Sequence, residues 1–166
     1  GEIKFLKDFA FRTNFGLTYY DDYITEYQNS QFGDAANVQG RSTKTSDRTL
    51  SYTLNELLTY THQFGEHNLR VLVGHENYKL QPTHEYATRI GFAFPGSSEL
   101  DNATTAEGSG SYTDNFRIES YFSNINYDYK GRYLLSGSYR RDGTSRFYPT
   151  KRWGNFYSAG AGWRIS

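Results

Sequence analysis

Residues able to do chemistry are few in this sequence, and each set fails on spacing. His84-Glu85 opens like a zinc-protease motif, in which two histidines one helical turn apart hold the metal beside a glutamate base. Thr88 stands where the second histidine is required, so that chemistry is rejected. His62 and His67 flank a turn with no third ligand in view, whereas a catalytic zinc needs three protein ligands; both read as structural. Gly108-Ser109-Gly110 lies in a polar stretch without the strand and helix that make a phosphate cradle, and reads as a flexible linker. Asn102-Ala103-Thr104 matches a glycosylation acceptor, a three-residue pattern that arises often by chance. No Ser/His/Asp spacing stands out, and the carboxylates are scattered rather than paired. These readings predict no enzyme activity, no metal and no cofactor.

Two further groups are candidates for binding rather than catalysis. Arg141, Asp142, Gly143, Arg146 and Phe147 fall where a hairpin is expected to turn. Asp-Gly suits such a turn because glycine accepts positive φ, and the arginines are expected to tie the loop to its neighbours. Tyr86, Phe92 and Phe94 lie in a long polar connection. They are placed either to stack on a ligand such as a sugar ring or to pack the loop on itself. The second reading is preferred, because a large loop must bury its own aromatics.

The elements that would position these residues show a period of two. Phe9, Phe11, Thr13, Phe15, Leu17 and Tyr19 share one face of a strand, with Arg12, Asn14, Gly16 and Thr18 on the other. Leu50, Tyr52, Leu54, Leu58 and Tyr60 repeat the pattern, except that Glu56 falls on the apolar face and Leu57 on the polar one. A local bulge would explain that exchange. Leu69, Val71 and Val73 form a third apolar row, then Tyr121, Ile125, Tyr127 and Tyr129, then Tyr133, Leu135 and Tyr139, then Tyr157, Ala159, Ala161 and Trp163. Six antiparallel strands follow, near 8–27, 47–64, 67–80, 115–130, 132–142 and 153–166, arranged as an up-and-down meander.

Composition narrows the class. The 166 residues include 16 Tyr, 12 Phe and 2 Trp but no Cys or Met, and the formal net charge is zero. Mean hydropathy is −0.79. No disulfide framework is available, and nothing in the charge balance favours nucleic acid. A soluble core of this size normally holds more aliphatic residues, and so many aromatics argue against disorder. A membrane β-barrel accounts for both facts, because its strands are half polar and its interfaces aromatic. A soluble β-sandwich that binds carbohydrate is the competing reading.

Loop lengths favour the barrel. Turns near 64–68 and 130–132 are short, whereas the connections near 28–47, 80–114 and 142–153 are long and polar. That segregation matches short periplasmic turns and long extracellular loops. Phe9, Tyr60, Phe64, Tyr127, Tyr129, Tyr133 and Trp163 gather at the short-turn end, and Tyr19, Tyr52, Tyr139 and Tyr157 nearer the other. Two such belts match the two faces of a bilayer. Phe11, Phe15, Leu58, Val71, Ile125 and Leu135 are therefore expected to face lipid. Six strands are too few to close a barrel, and the chain opens on Gly1 rather than Met. A longer protein is the expectation.

The final third carries the most specific motif. It runs Glu119-Ser120-Tyr121-Phe122-Ser123-Asn124-Ile125-Asn126-Tyr127-Asp128-Tyr129-Lys130-Gly131-Arg132-Tyr133, then Tyr139-Arg140-Arg141-Asp142-Gly143-Thr144-Ser145-Arg146-Phe147, Arg152-Trp153-Gly154-Asn155-Phe156-Tyr157 and Gly162-Trp163-Arg164-Ile165. This resembles the barrel region of SusC/RagA-type TonB-linked outer-membrane transporters. Phe64-Gly65-Glu66-His67-Asn68-Leu69 is similar to an earlier hairpin of the same family. The family commonly has Ser where Thr144 stands, and Tyr148-Pro149-Thr150-Lys151 departs from its usual loop.

The resemblance implies an all-β fold, with this chain forming part of a barrel of about 22 strands. It implies a Gram-negative outer membrane, with lipid around the wall and a plug domain, outside this chain, contacted by the TonB complex. It also implies a SusD-like surface lipoprotein as lid, and an oligosaccharide or peptide as cargo. Contacts with lid or cargo would fall to the long loops, with Tyr86, Phe92 and Phe94 as candidates.

Overall fold

The computed structural model describes residues 1–165; Ser166, which ends the expected last strand, lies outside them. The described residues form eight strands: β1 (Glu2–Phe5), β2 (Phe9–Gln28), β3 (Arg41–Phe64), β4 (His67–Phe92), β5 (Ala103–Thr113), β6 (Phe116–Tyr129), β7 (Tyr133–Thr144) and β8 (Trp153–Trp163). All belong to one sheet in the order β1-β2-β3-β4-β6-β7-β8, with β5 paired to β4. β1 pairs with β2, β4 with β5 and β6, β6 with β7, and β7 with β8, each antiparallel. A sandwich requires a second sheet about 10 Å away, and the described residues supply none.

Two compact units divide the chain. The first comprises Gly1–Leu17, Ser51–Leu80 and the chain from Phe116 onward; the second comprises Thr18–Leu50 and Gln81–Asn115.

Register in the first unit aligns rows across β4, β6, β7 and β8. His67, Tyr129, Tyr133 and Trp163 form one row, and Leu69, Tyr127, Leu135 and Ala161 the next. Val71, Ile125, Gly137 and Ala159 follow, then Val73, Ser123, Tyr139 and Tyr157, then His75, Tyr121, Arg141 and Asn155. Cross-strand partners share a face, so the apolar alternation of each strand adds up to one continuous surface. Arg70, Asn126 and Ser136 line the opposite face, together with Glu76, Ser120, Arg140 and Asp142. The turn between β6 and β7 reverses at Lys130 (φ 55°) and Gly131 (φ 65°). Asp128 Oδ1 accepts a hydrogen bond from the Gly131 N–H at 2.9 Å, which holds that turn.

Several sequence expectations change. β3 begins at Arg41 rather than near 47, and β4 runs to Phe92 rather than ending near 80. The connection expected near 80–114 is therefore mostly strand, closed by β5. In Thr83–Thr88 the one aliphatic residue is Ala87, so no apolar alternation marks the strand. Its Thr and Tyr residues nonetheless favour extended backbone. Gly108-Ser109-Gly110 is part of β5, not a linker. A Cβ on Gly110 would sit 2.8 Å from the Tyr86 ring, which lies across it.

Candidate functional site

The apolar face of the first unit is the strongest functional feature. Val73 is 52% exposed, Ile125 49% and Leu135 54%, with no element of the described chain over them. β-branched and aromatic side chains in open view call for an apolar partner. Phe15 stacks near Tyr52 at 6.3 Å between ring centroids, and Phe9 near Tyr60 at 4.8 Å, so β2 and β3 carry the same surface onward. Phe11 pairs with Ile3 of β1 and extends it to that edge.

Aromatic rows bound this face. On the short-turn side, His67 stacks on Tyr129 at 4.5 Å, Tyr129 on Tyr133 at 6.2 Å and Tyr133 on Trp163 at 6.4 Å. His67 Nδ1 lies 2.6 Å from the Tyr127 hydroxyl, and His62 Nδ1 lies 2.7 Å from Asp8 Oδ2. Each histidine thus carries a local polar partner within the row. On the other side, His75 stacks on Tyr121 at 4.9 Å and Tyr121 approaches Trp153 at 6.1 Å.

Glu56 is explained without a bulge. Its Oε2 lies 3.1 Å from His75 Nδ1, so both sit on the apolar face. His75 Nε2 is 3.5 Å from Glu119, and the Tyr121 hydroxyl donates to Glu119 at 2.5 Å. The carboxylates are therefore partnered within the second aromatic row, and not among Ile125 and Val71. The next residue, Leu57, approaches Gly74 on the opposite face. Consecutive residues meeting opposite faces is ordinary alternation.

The motif around Asp142 also changes meaning. Asp142 and Gly143 are strand residues of β7, and Gly143 has no positive φ. The turn reading is overturned. Gly143 is required because the Trp153 ring lies against it, 2.9 Å from where a Cβ would be. Asp142 Oδ1 accepts a hydrogen bond from Arg140 Nε at 2.7 Å, and Arg140 Nη2 donates to the fully buried Ser120 at 3.0 Å. Arg141 lies over Trp153 at 4.9 Å and Arg146 over Phe116 at 4.7 Å. Phe147 remains 60% exposed in the connection before β8.

The second unit holds the three loop aromatics, and they separate. Phe92 is buried, with its ring edge-on to Tyr27 at 5.5 Å, so it is core rather than contact surface. Tyr86 is partly exposed above the glycines of β5, beside His84 at 5.9 Å. Phe94 stands open to solvent.

An ion pair also clamps this unit: Arg41 Nη2 donates to Glu107 Oε1 at 2.7 Å and Nε to Oε2 at 2.6 Å. The hydrogen bond from Arg41, with its charge and against some desolvation, holds the Glu107 carboxyl below its usual value. A carboxyl lowered on folding stabilises above its unfolded pKa, and the contribution fades as pH falls through the folded value. Cleavage of β5 by pepsin in the full-length protein should rise as pH drops from 5 to 3. Glu107→Gln should already be sensitive at pH 5 and flat below it. An unchanged pH profile in that variant would remove Glu107 as the cause.

A single antiparallel sheet with one apolar face between two aromatic rows, and polar side chains opposite, defines a wall section of a transmembrane β-barrel. No family model matches the sequence. The chain is 27% identical over 165 residues to TonB-dependent receptor P3 of Formosa agariphila, covering 98% of this chain and 16% of that protein. It is 26% identical over 164 residues to TonB-dependent receptor SusC of Bacteroides thetaiotaomicron, covering 99% of this chain and 16% of the relative. The solved RagAB peptide transporter superposes with a TM-score of 0.88 at 21% identity, over 96% of this chain and 18% of that one. The chain corresponds to part of the β-barrel of the SusC/RagA-type TonB-dependent receptors. It spans 16% of the length of those two curated relatives.

Proposed function

We propose that this chain is part of the wall of an outer-membrane, TonB-dependent importer in a Gram-negative bacterium. The uncovered apolar face of Val73, Ile125 and Leu135 carries this reading, because only lipid relieves its exposure without another protein layer. The polar face then lines the lumen, with a plug outside this chain answering to the TonB complex. The far ends of β4 and β5 and the connections beyond them lie outside the cell, where Tyr86 and Phe94 are free to touch cargo or a lid. The cargo class is oligosaccharide or peptide, and the lid a SusD-like surface lipoprotein. Support for that pairing comes from the likeness to SusC and to RagAB.

The test uses the full-length protein in its own host. Deleting its gene should abolish growth on one class of oligosaccharide or peptide supplied as sole carbon source. Disabling TonB should reproduce the defect, and affinity purification should recover a surface lipoprotein with the barrel. Recovery of the full-length protein in the soluble fraction would overturn the membrane reading. Uptake that persists without TonB would overturn energised import.

A further inference from the structure

Beyond the second aromatic row, the lipid-side face changes from apolar to basic. Lys79 of β4 stands directly opposite Arg117 of β6 in the register. Like charges in facing positions of a sheet repel, and among the described residues neither side chain has an acidic partner within ion-pair distance. The nearest carboxylate in the rows, Glu119, stands one row away and accepts a hydrogen bond from the Tyr121 hydroxyl. Arg141, on the same face, lies over Trp153 and also lacks an acidic partner among the described residues. Two facing cations with no carboxylate in ion-pair contact suit an anion from outside the chain.

Height identifies the source. The Lys79–Arg117 row is twelve residues along β4 from the His67 row. At about 3.3 Å per residue and a strand tilt of about 40°, that is about 30 Å along the membrane normal. The apolar band of such barrels is about 25 Å tall, so these side chains reach just past it, to the headgroup level. They point away from the polar face, and so away from plug and cargo.

We propose that Lys79 and Arg117, with Arg141 below them, form a binding site for a phosphate-bearing lipid headgroup of the outer leaflet. The ammonium supplies a point charge and the guanidinium a fork of donors for phosphate oxygens. Trp153 and Tyr121 meet the lipid just beneath, where amphipathic rings favour the interface. This site rests on the membrane reading above.

The test takes full-length protein purified in detergent, stripped of lipid, and titrated with lipid A or with its dephosphorylated form. Native mass spectrometry counts bound lipid, and heat-modifiable migration reports barrel integrity. Lipid A is expected to bind at least tenfold more tightly than the dephosphorylated form. Lys79→Ala with Arg117→Ala should remove that preference, while Arg70→Ala on the opposite face leaves it. Millimolar inorganic phosphate should not compete. Folded double variants that retain the preference would overturn the site, and competition by free phosphate would overturn its assignment to a lipid. A wild-type protein that never shows heat-modifiable migration would instead sink the barrel reading, which keeps the two failures apart.

Discussion

Replacing Ile125 by lysine in the full-length protein should prevent most of it from assembling in the outer membrane. Ile125 sits in the row with Val71, Gly137 and Ala159, four residues along β4 from the His67 row and four from the His75 row. It is therefore at the middle of the apolar face and about half exposed. A lysine at the bilayer midplane costs about 2–4 kcal/mol, a large share of a typical folding free energy of about 5–15 kcal/mol. Snorkelling offers little relief from the midplane, since both interfaces are equally far. Asn126→Lys, one residue on and on the polar face, should assemble normally and cost about 0.5 kcal/mol or less. The heat-modifiable fraction in outer-membrane preparations reads both variants. Equal assembly of the two would show that lipid covers neither face, and failure of Asn126→Lys alone would show that the faces are assigned the wrong way round.

Gly74→Ala should destabilise the barrel by about 1–3 kcal/mol, the usual cost of forcing a methyl into an occupied site. A Cβ on Gly74 would lie 2.9 Å from Leu57 Cδ2 and closer still to the Phe122 ring. Phe122 cannot simply swing aside, because Arg140 lies over its ring at 5.2 Å and is itself anchored to Asp142. In the Phe122→Ala background the same glycine substitution should cost almost nothing, leaving a coupling of about 0.5–3 kcal/mol. Urea unfolding of the full-length barrel in vesicles would measure the four proteins. If Gly74→Ala costs the same with and without Phe122, the glycine is there for another reason.

Gly74, Gly110 and Gly143 share a cause that the linear sequence does not carry. Each accommodates an aromatic ring from a neighbouring strand: Phe122, Tyr86 and Trp153. Glycine in a linear sequence signals turns and linkers, and Gly110 and Gly143 carry that signal. Only the pairing register reveals that the ring, not the backbone angle, requires the glycine. Glu56 follows the same rule. Alone it breaks the apolar pattern of β3, and only His75 on the next strand shows how its carboxylate is accommodated.

The sequence by itself determined that the chain is all-β, which residues alternate inward and outward, and where the short turns fall. Those properties are local: side chains point to opposite faces at every step, and a lipid-covered face must be apolar at every second residue. Phe11, Phe15, Ile125, Leu135, Tyr133 and Trp163 were legible for that reason. The tertiary structure decided what depends on partners distant in sequence. It extended β3 and β4 through polar residues where no apolar alternation remains. It separated buried Phe92 from exposed Phe94, and set Lys79 opposite Arg117, because register between strands depends on cross-strand pairing that a linear pattern does not contain.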